Sequence, residues 1–325
     1  MKIGLCYDTK SDYGIDEESL EYTDFVSLHT ISELSKAMER CGYEVEYIGN
    51  VHKLKEMLKN PIFPYDLVFN IAEGFGSRNR EAWIPSLLEI FKIPHTASDT
   101  YGMALNLNKH HTKILVQSQG IPVPRGVYFE KLDESVLNDI EHIGYPLILK
   151  PNSEGGSMGL FLIHTKTEFI KHATALIKDQ GFDLLAEEYI DGTEVTVPII
   201  GNRERAQALG VVSILNKDGT NIALYDTSLK YEDNVINTLD FKFGAKIKQK
   251  LMEYSVNIHR FFDLRDYSRM DFRVRSDGSI YFLEINSMPS LCRGGSFEQC
   301  GAAMGLDYHE VIGMIIAAAR DRYQI

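Results

Sequence analysis

Ser276-Asp277-Gly278 stands between two apolar runs, Met270 to Val274 and Ile280 to Ile285, and a turn that short makes the runs adjacent antiparallel strands. Side chains alternate along a strand, so Glu284 and Asn286 share a face, and Asp271 can lie beside Glu284 on it. Three hard oxygen ligands then meet at one spot. Two carboxylates that close repel each other unless a cation sits between them, and oxygen ligands beside a nucleotide suit Mg2+. A solvated pair of strand ends would read the same way, so this pattern alone decides nothing.

A second hairpin lies upstream. Leu147 to Lys150 reads as a strand, Pro151-Asn152-Ser153-Glu154-Gly155-Gly156-Ser157-Met158-Gly159 as a glycine-rich loop, and Phe161 to Ile163 as the returning strand. Lys150 ends the first strand, so its ammonium and the loop amides could meet phosphate oxygens together. The loop is not a GxxxxGK[ST] phosphate loop and opens no helix, which excludes a dinucleotide fingerprint. A lid over a triphosphate fits it, as does an ordinary turn. Further on, the strand Leu184 to Glu188 passes through Tyr189-Ile190-Asp191-Gly192-Thr193 into the strand Glu194 to Ile200. Such a connection can offer backbone groups to an adenine edge, apolar walls from Tyr189 and Ile190, and Glu194 to ribose hydroxyls. It also reads as an acidic surface turn.

The first hundred residues have a different rhythm. Ile3 to Cys6, Val45 to Ile48 and Leu67 to Phe69 read as strands. Between and after them stand helical patterns: Phe25, Leu28, Ile31, Leu34 and Met38 at helical spacing, then Glu81 to Phe91. This βαβα order predicts a small parallel sheet covered by helices. Helices near Lys109 to Gln119, Lys246 to Phe262 and Tyr308 to Arg322 complete the reading, the last with Ala317 to Ala319 as a core stripe.

A chain of 325 residues with 44% hydrophobic and 25% charged residues has room for two or three globular units. Its 34 basic and 46 acidic residues, a net charge near -12, oppose nonspecific attraction to nucleic acid or anionic membranes. The apolar start is too short for a signal-peptide core, and no run approaches about 18 uninterrupted apolar residues, so a cytoplasmic location is expected. The four cysteines form no CxxC pair and are expected to be idle or buried thiols. His110-His111, adjacent on a helix, do not face one site.

In chain order, Lys109, Lys150 with its glycine-rich hairpin, Glu187 to Glu194, Lys230-Tyr231, Arg269-x-Asp271 and Glu284-x-Asn286 resemble the ATP-grasp ligases, most closely D-alanine-D-alanine ligases, over most of the chain from about Phe69 onward. The resemblance implies an α/β fold, α+β in the ATP-grasp part. An N-terminal parallel α/β domain (1–107) would precede a two-lobed ATP-grasp fold, with a central lid domain (108–184) and a C-terminal catalytic domain (185–325). It also implies an ADP-forming ligase that joins two amino acids through an acyl phosphate, with ATP and two Mg2+ ions as cofactors and Mn2+ as an alternative. Lys109 and Lys150 would contact phosphates, with Gly156 and Ser157 in the lid. Glu187, Glu188, Tyr189 and Ile190 would frame adenine, and Glu194 would hold the ribose. Asp271, Glu284 and Asn286 would bind metal, Arg269 would stabilise the oxyanion, and Lys230 would neutralise the transferring phosphoryl group. Partners would be small amino-acid substrates, with neither nucleic acid nor membrane; a homodimer is compatible.

The substrate half departs from the family pattern. The GG-x-S-x-E segment usual after the first strand is missing between Asp8 and Leu28, although Val26-Ser27-Leu28 resembles its tail. Asn70-Ile71-Ala72-Glu73-Gly74 replaces the usual Leu-His-Gly, Gly156 stands where serine is common, and Ser290 where glycine is. Asp16, Glu17, Glu18, Glu21, Asp24 and Glu73 are candidates for the missing carboxylate. A ligase of specialised metabolism using another amino acid, and a nucleotide-binding module without ligase chemistry, are the competing readings; a biotin-dependent carboxylase would need a larger chain.

Overall fold

The computed structural model describes residues 1–16, 19, 25–224 and 234–325. The N-terminal sheet is parallel, ordered β2-β1-β3, from strands β1 (Lys2–Tyr7), β2 (Glu44–Gly49) and β3 (Leu67–Ile71). Parallel neighbours need a crossover, and helix α1 (Leu28–Arg40) supplies one. Ser27 caps α1 by accepting from Thr30 N, and Ile31, Leu34 and Met38 form its buried stripe. The helix expected over Glu81 to Phe91 begins later: Arg80–Ala82 is a 3-10 turn, and the α-helix runs Trp83–Ile90, with Pro85 in the first turn, where its missing N–H costs nothing.

The glycine-rich loop belongs to a four-stranded antiparallel sheet, ordered β4-β7-β5-β6: β4 (Gly126–Phe129), β5 (Leu147–Pro151), β6 (Phe161–Ile163) and β7 (Leu184–Glu188). Leu147 pairs Ile163, as the hairpin reading requires. Phe129, Leu147, Leu149, Phe169 and Leu184 make a core of their own under this sheet. The third sheet is antiparallel, ordered β11-β10-β8-β12-β13, with the short β9 (Gln207–Ala208) on β8. Its other strands are β8 (Thr193–Ile200), β10 (Val212–Asn216), β11 (Val235–Thr238), β12 (Tyr267–Val274) and β13 (Ile280–Asn286). The helix Gly244–Phe261 covers one part of it.

The first and third sheets share a core. Leu34 and Met38 of α1 pack with Val311, Ile312 and Ile315 of the helix Tyr308–Tyr323, and the same cluster takes in Ile200, Val212 and Tyr267. All four cysteines are free, Cys6 and Cys300 buried. Among the described residues no single helix is long and apolar enough to cross a membrane.

Candidate active site

The register of β8, β12 and β13 builds one functional face. Asp271 stands opposite Glu284 on one side and Thr196 on the other; Arg269 stands opposite Asn286, and Arg273 opposite Glu194. Side chains two apart share a face, so these seven polar groups project together. Gly278, at φ +84°, makes the turn that sets this register, with Arg275 N donating to Ser279 O and Gly278 N to Arg275 O. A bulge at Leu283 then shifts the pairing from Asp271↔Glu284 to Phe272↔Phe282.

Hydrogen bonds fix each group. Arg269 donates to both Asp271 oxygens, each at 2.9 Å; Thr196 Oγ1 donates to Oδ1 at 2.6 Å, and Asn286 Nδ2 to Oδ2 at 2.8 Å. Since Asn286 uses its NH2 there, its amide oxygen is turned to other work. Arg273 pairs with Glu194 at 3.1 Å, donates to the carbonyls of Ile190, Ile222 and Ala223, and lies 5.2 Å over the Tyr189 ring. Burial pushes Glu194 above the usual carboxylate range, and Arg273 only partly offsets it.

Two lysines face this sheet across a cleft. Asn152, at the base of the glycine-rich loop, accepts from Lys109 N through its backbone oxygen and from His110 N through its side chain. That clamps the start of the helix Lys109–Ser118 to the loop and brings Lys109 Nζ to 3.8 Å from Glu284. Lys150 reaches Glu187 at 2.7 Å, and Lys113 pairs with the other Glu187 oxygen. Burial alone would raise Glu187, but the two lysines outweigh it and hold the carboxyl below its usual range. The sequence reading missed Lys113, whose i,i+4 spacing from Lys109 was its signal. It also missed Arg273 and Thr196, whose partners come from a different strand.

Apart from Lys113 and Asn152, these side chains line a cavity of about 560 Å3. Lys109, Lys150, Gly156, Ser157, Glu187, Glu188, Tyr189, Ile190, Glu194, Arg269, Asp271, Glu284 and Asn286 all border it, so every expected site residue within the described chain comes to one place. Lys230 and Tyr231 lie outside the described residues, as do Glu17, Glu18, Glu21 and Asp24. Of the other candidate carboxylates, Glu73 borders the cavity and Asp16 does not. The described lining carries eight carboxylates against four cationic side chains. A polyphosphate entering such a cleft needs added positive charge, and two carboxylates with an amide oxygen form the hard donor set that Mg2+ takes.

A parallel sheet leading into two antiparallel sheets that clasp a cleft lined in this way defines the chain as an ATP-grasp ligase. The family described as "D-ala D-ala ligase C-terminus" matches residues 115–317. A D-alanine-D-alanine ligase of Aquifex aeolicus (strain VF5) is 32% identical over 292 residues, 90% of this chain and 94% of that protein. The uncharacterized protein y4sG of Sinorhizobium fredii (strain NBRC 101917 / NGR234) is 29% identical over 88% of this chain and 86% of its own length. The D-alanine-D-alanine ligase of Bacillus anthracis complexed with ATP superimposes with a TM-score of 0.77 at 21% identity, covering 100% of this chain and 99% of that one. The VanG D-Ala:D-Ser ligase of Enterococcus faecalis superimposes with a TM-score of 0.77 at 20% identity, covering 98% and 99%. The chain belongs to the D-alanine-D-alanine ligase family and is an ADP-forming ligase.

Proposed function

We propose that this ligase phosphorylates the carboxylate of one amino acid with ATP, joins it to the amine of a second, and uses something other than D-alanine in at least one position. The observation that carries this reading is the row of Glu194, Thr196, Arg269, Asp271, Arg273, Glu284 and Asn286 facing Lys109 and Lys150 across one cavity. A carboxylate oxygen attacks the γ-phosphorus, the bond from phosphorus to the β,γ-bridging oxygen breaks, and ADP leaves. The amine nitrogen then attacks the acyl carbon, its proton passes to solvent, and inorganic phosphate departs. Such transfers need alignment and charge neutralisation more than covalent help.

Lys109 and Lys150 hold phosphate oxygens, with Gly156 and Ser157 above them. Glu187 to Ile190 frame adenine, and Glu194 takes the ribose hydroxyls. Asp271, Glu284 and the Asn286 amide oxygen hold Mg2+, which when bound neutralises phosphate charge. Arg269 steadies the oxyanion, and Lys230 is assigned the γ-phosphoryl group. Ordering by the glycine-rich loop excludes water from the acyl phosphate. The altered substrate half supports the departure from D-alanine: Glu73 stands in a loop that replaces the family's usual residues. Its four free thiols suit a cytoplasmic location.

ADP release across D- and L-amino acids, offered singly and in pairs, tests the reading. At least one pair should release ADP, with another combination exceeding paired D-alanine; D-alanine pairs used as well as every other would make the chain a plain D-alanine-D-alanine ligase. Glu284→Gln keeps shape and removes charge, so turnover should fall about 100-fold or more. Parental turnover with an unchanged Mg2+ requirement would remove Glu284 from the metal site.

A further inference from the structure

A second cavity of about 440 Å3 adjoins the first. The two share Phe25, Glu73, Pro151, Glu154, Gly155 and Met158, so a molecule seated beneath the glycine-rich loop reaches both. The rest of its lining comes from the loop from Phe75 to Arg80 and the turn from Gln180 to Asp183.

The first wall is built from well-anchored groups. Buried Asp8 accepts from Gly74 N at 2.7 Å and from Tyr13 Oη at 2.8 Å. The Tyr13 ring stacks on Phe25, with centroids 5.4 Å apart, and on Phe75 at 5.1 Å. Gly74 has φ +71°, and a Cβ there would come within 2.6 Å of Arg80 O, so the loop folds back on itself only with glycine at that point. Buried Arg80 donates to Ser153 O at 2.8 Å and pairs with Glu154 at 3.3 Å, joining this wall to the glycine-rich loop.

Phe25, Phe75, Phe182, Met158 and Pro151 give the cavity an apolar body; Arg78, Asp183 and Glu73 also border it, as do Arg80 and Glu154, whose charges meet each other. Small-molecule sites span about 300–1,000 Å3. A methyl group needs space comparable to the roughly 30 Å3 share of one water. Alanine would leave this cavity almost empty.

We propose that the second cavity holds the side chain of the acid that becomes the acyl phosphate, and that this acid is an amino acid with a bulky, mainly apolar or aromatic side chain. The inference rests on the function proposed above. The acid is assigned here because Glu154, Gly155 and Met158 belong to the loop that covers the phosphates, so a substrate under that loop keeps its carboxylate beside the γ-phosphoryl group. Ser290, Cys292 and Gly295 line the first cavity and not the second, and that part of the first cavity remains for the amine.

Hydroxylamine in place of the amine isolates the acid site, because its nitrogen attacks the acyl carbon, phosphate leaves, and a hydroxamate accumulates. The full chain with ATP and Mg2+ is assayed with alanine, valine, leucine, methionine, phenylalanine, tyrosine and tryptophan in both configurations. The best bulky acid should exceed alanine in kcat/KM by roughly 30-fold or more, within the range that apolar pockets discriminate. Ser77→Phe and Gln180→Trp fill the cavity from two different segments of its lining, and each should lower the bulky-to-alanine ratio by about tenfold. Alanine used as well as every bulky acid, or a ratio unmoved in both variants, overturns the inference and leaves the ligase reading standing. Hydroxamate from no acid at all overturns the proposed function and this inference with it.

Discussion

At the residue scale, Lys113 shows how a charge outside the expected set shapes the nucleotide wall. Buried Lys113 and half-buried Lys150 share the one carboxylate of Glu187. Burial is the largest influence on both ammonium groups: it pushes Lys113 down to about 7, whereas at Lys150 Glu187 and Glu284 overcome it and raise the group. When Lys150 turns to a phosphate, Glu187 keeps Lys113 as its partner. Lys113→Met should therefore leave Glu187 gripping Lys150, and ATP affinity measured by calorimetry should fall about tenfold, the worth of a charge-assisted contact. Lys113→Arg should restore most of it. Parental affinity in the methionine variant would show that Lys113 merely fills space. Asp271, Glu284 and Asn286 were legible in the sequence because a three-residue turn fixes their register locally. Lys113, Arg273 and Thr196 were not, because their meaning depends on Glu187, Glu194 and Asp271, which long-range pairing brings to them.

At the element scale, the parallel N-terminal sheet, both hairpins and the covering helices are visible as periodic apolar runs. Other elements escaped the reading. β4 has four residues, β11 is an edge strand with only partly buried ends, and the helix Glu134–Ile143 buries only Val136 and Ile140. Such segments carry little periodic signal, and their neighbours stabilise them. The element with most consequence for the site is the loop between β3 and the helix Trp83–Ile90, which Arg80 ties to the glycine-rich loop. Arg80→Met retains much of the apolar stem and removes the donors. It should speed proteolysis within the Pro151–Gly159 loop and raise KM for ATP several-fold, with a stability loss of about 1–3 kcal/mol from the lost hydrogen bond to the Ser153 carbonyl and the lost Glu154 ion pair. Unchanged protease sensitivity would mean that the loop is held without Arg80.

At the scale of the whole molecule, two buried histidines make stability depend on pH, and one of them, His259, joins segments distant in the chain. His259, on the helix Gly244–Phe261, reaches Gly201 O through Nε2 at 3.0 Å and Ser268 Oγ through Nδ1 at 2.7 Å. The carbonyl can only accept, so Nε2 carries the proton and Nδ1 accepts from the serine hydroxyl. His95, beside the C-terminal helix, is also buried, and burial pushes both imidazoles down to about 4. An unfolded histidine titrates near 6.5. Between those values the unfolded chain binds a proton that the fold refuses, so stability is fully present above about pH 6.5 and falls as pH drops toward 4, by up to about 1.4 kcal/mol per pH unit for each histidine. Asp8 and Glu194, raised by burial, act in the opposite sense, so the contribution of the histidines over the window from pH 7 to 5.5 is read as the difference between the parent chain and a variant that cannot titrate. Urea midpoints across that window should fall steadily for the parent chain. His259→Gln, which keeps a donor and an acceptor but cannot titrate, should remove about half of the slope; a parental slope in that variant would place the pH dependence elsewhere.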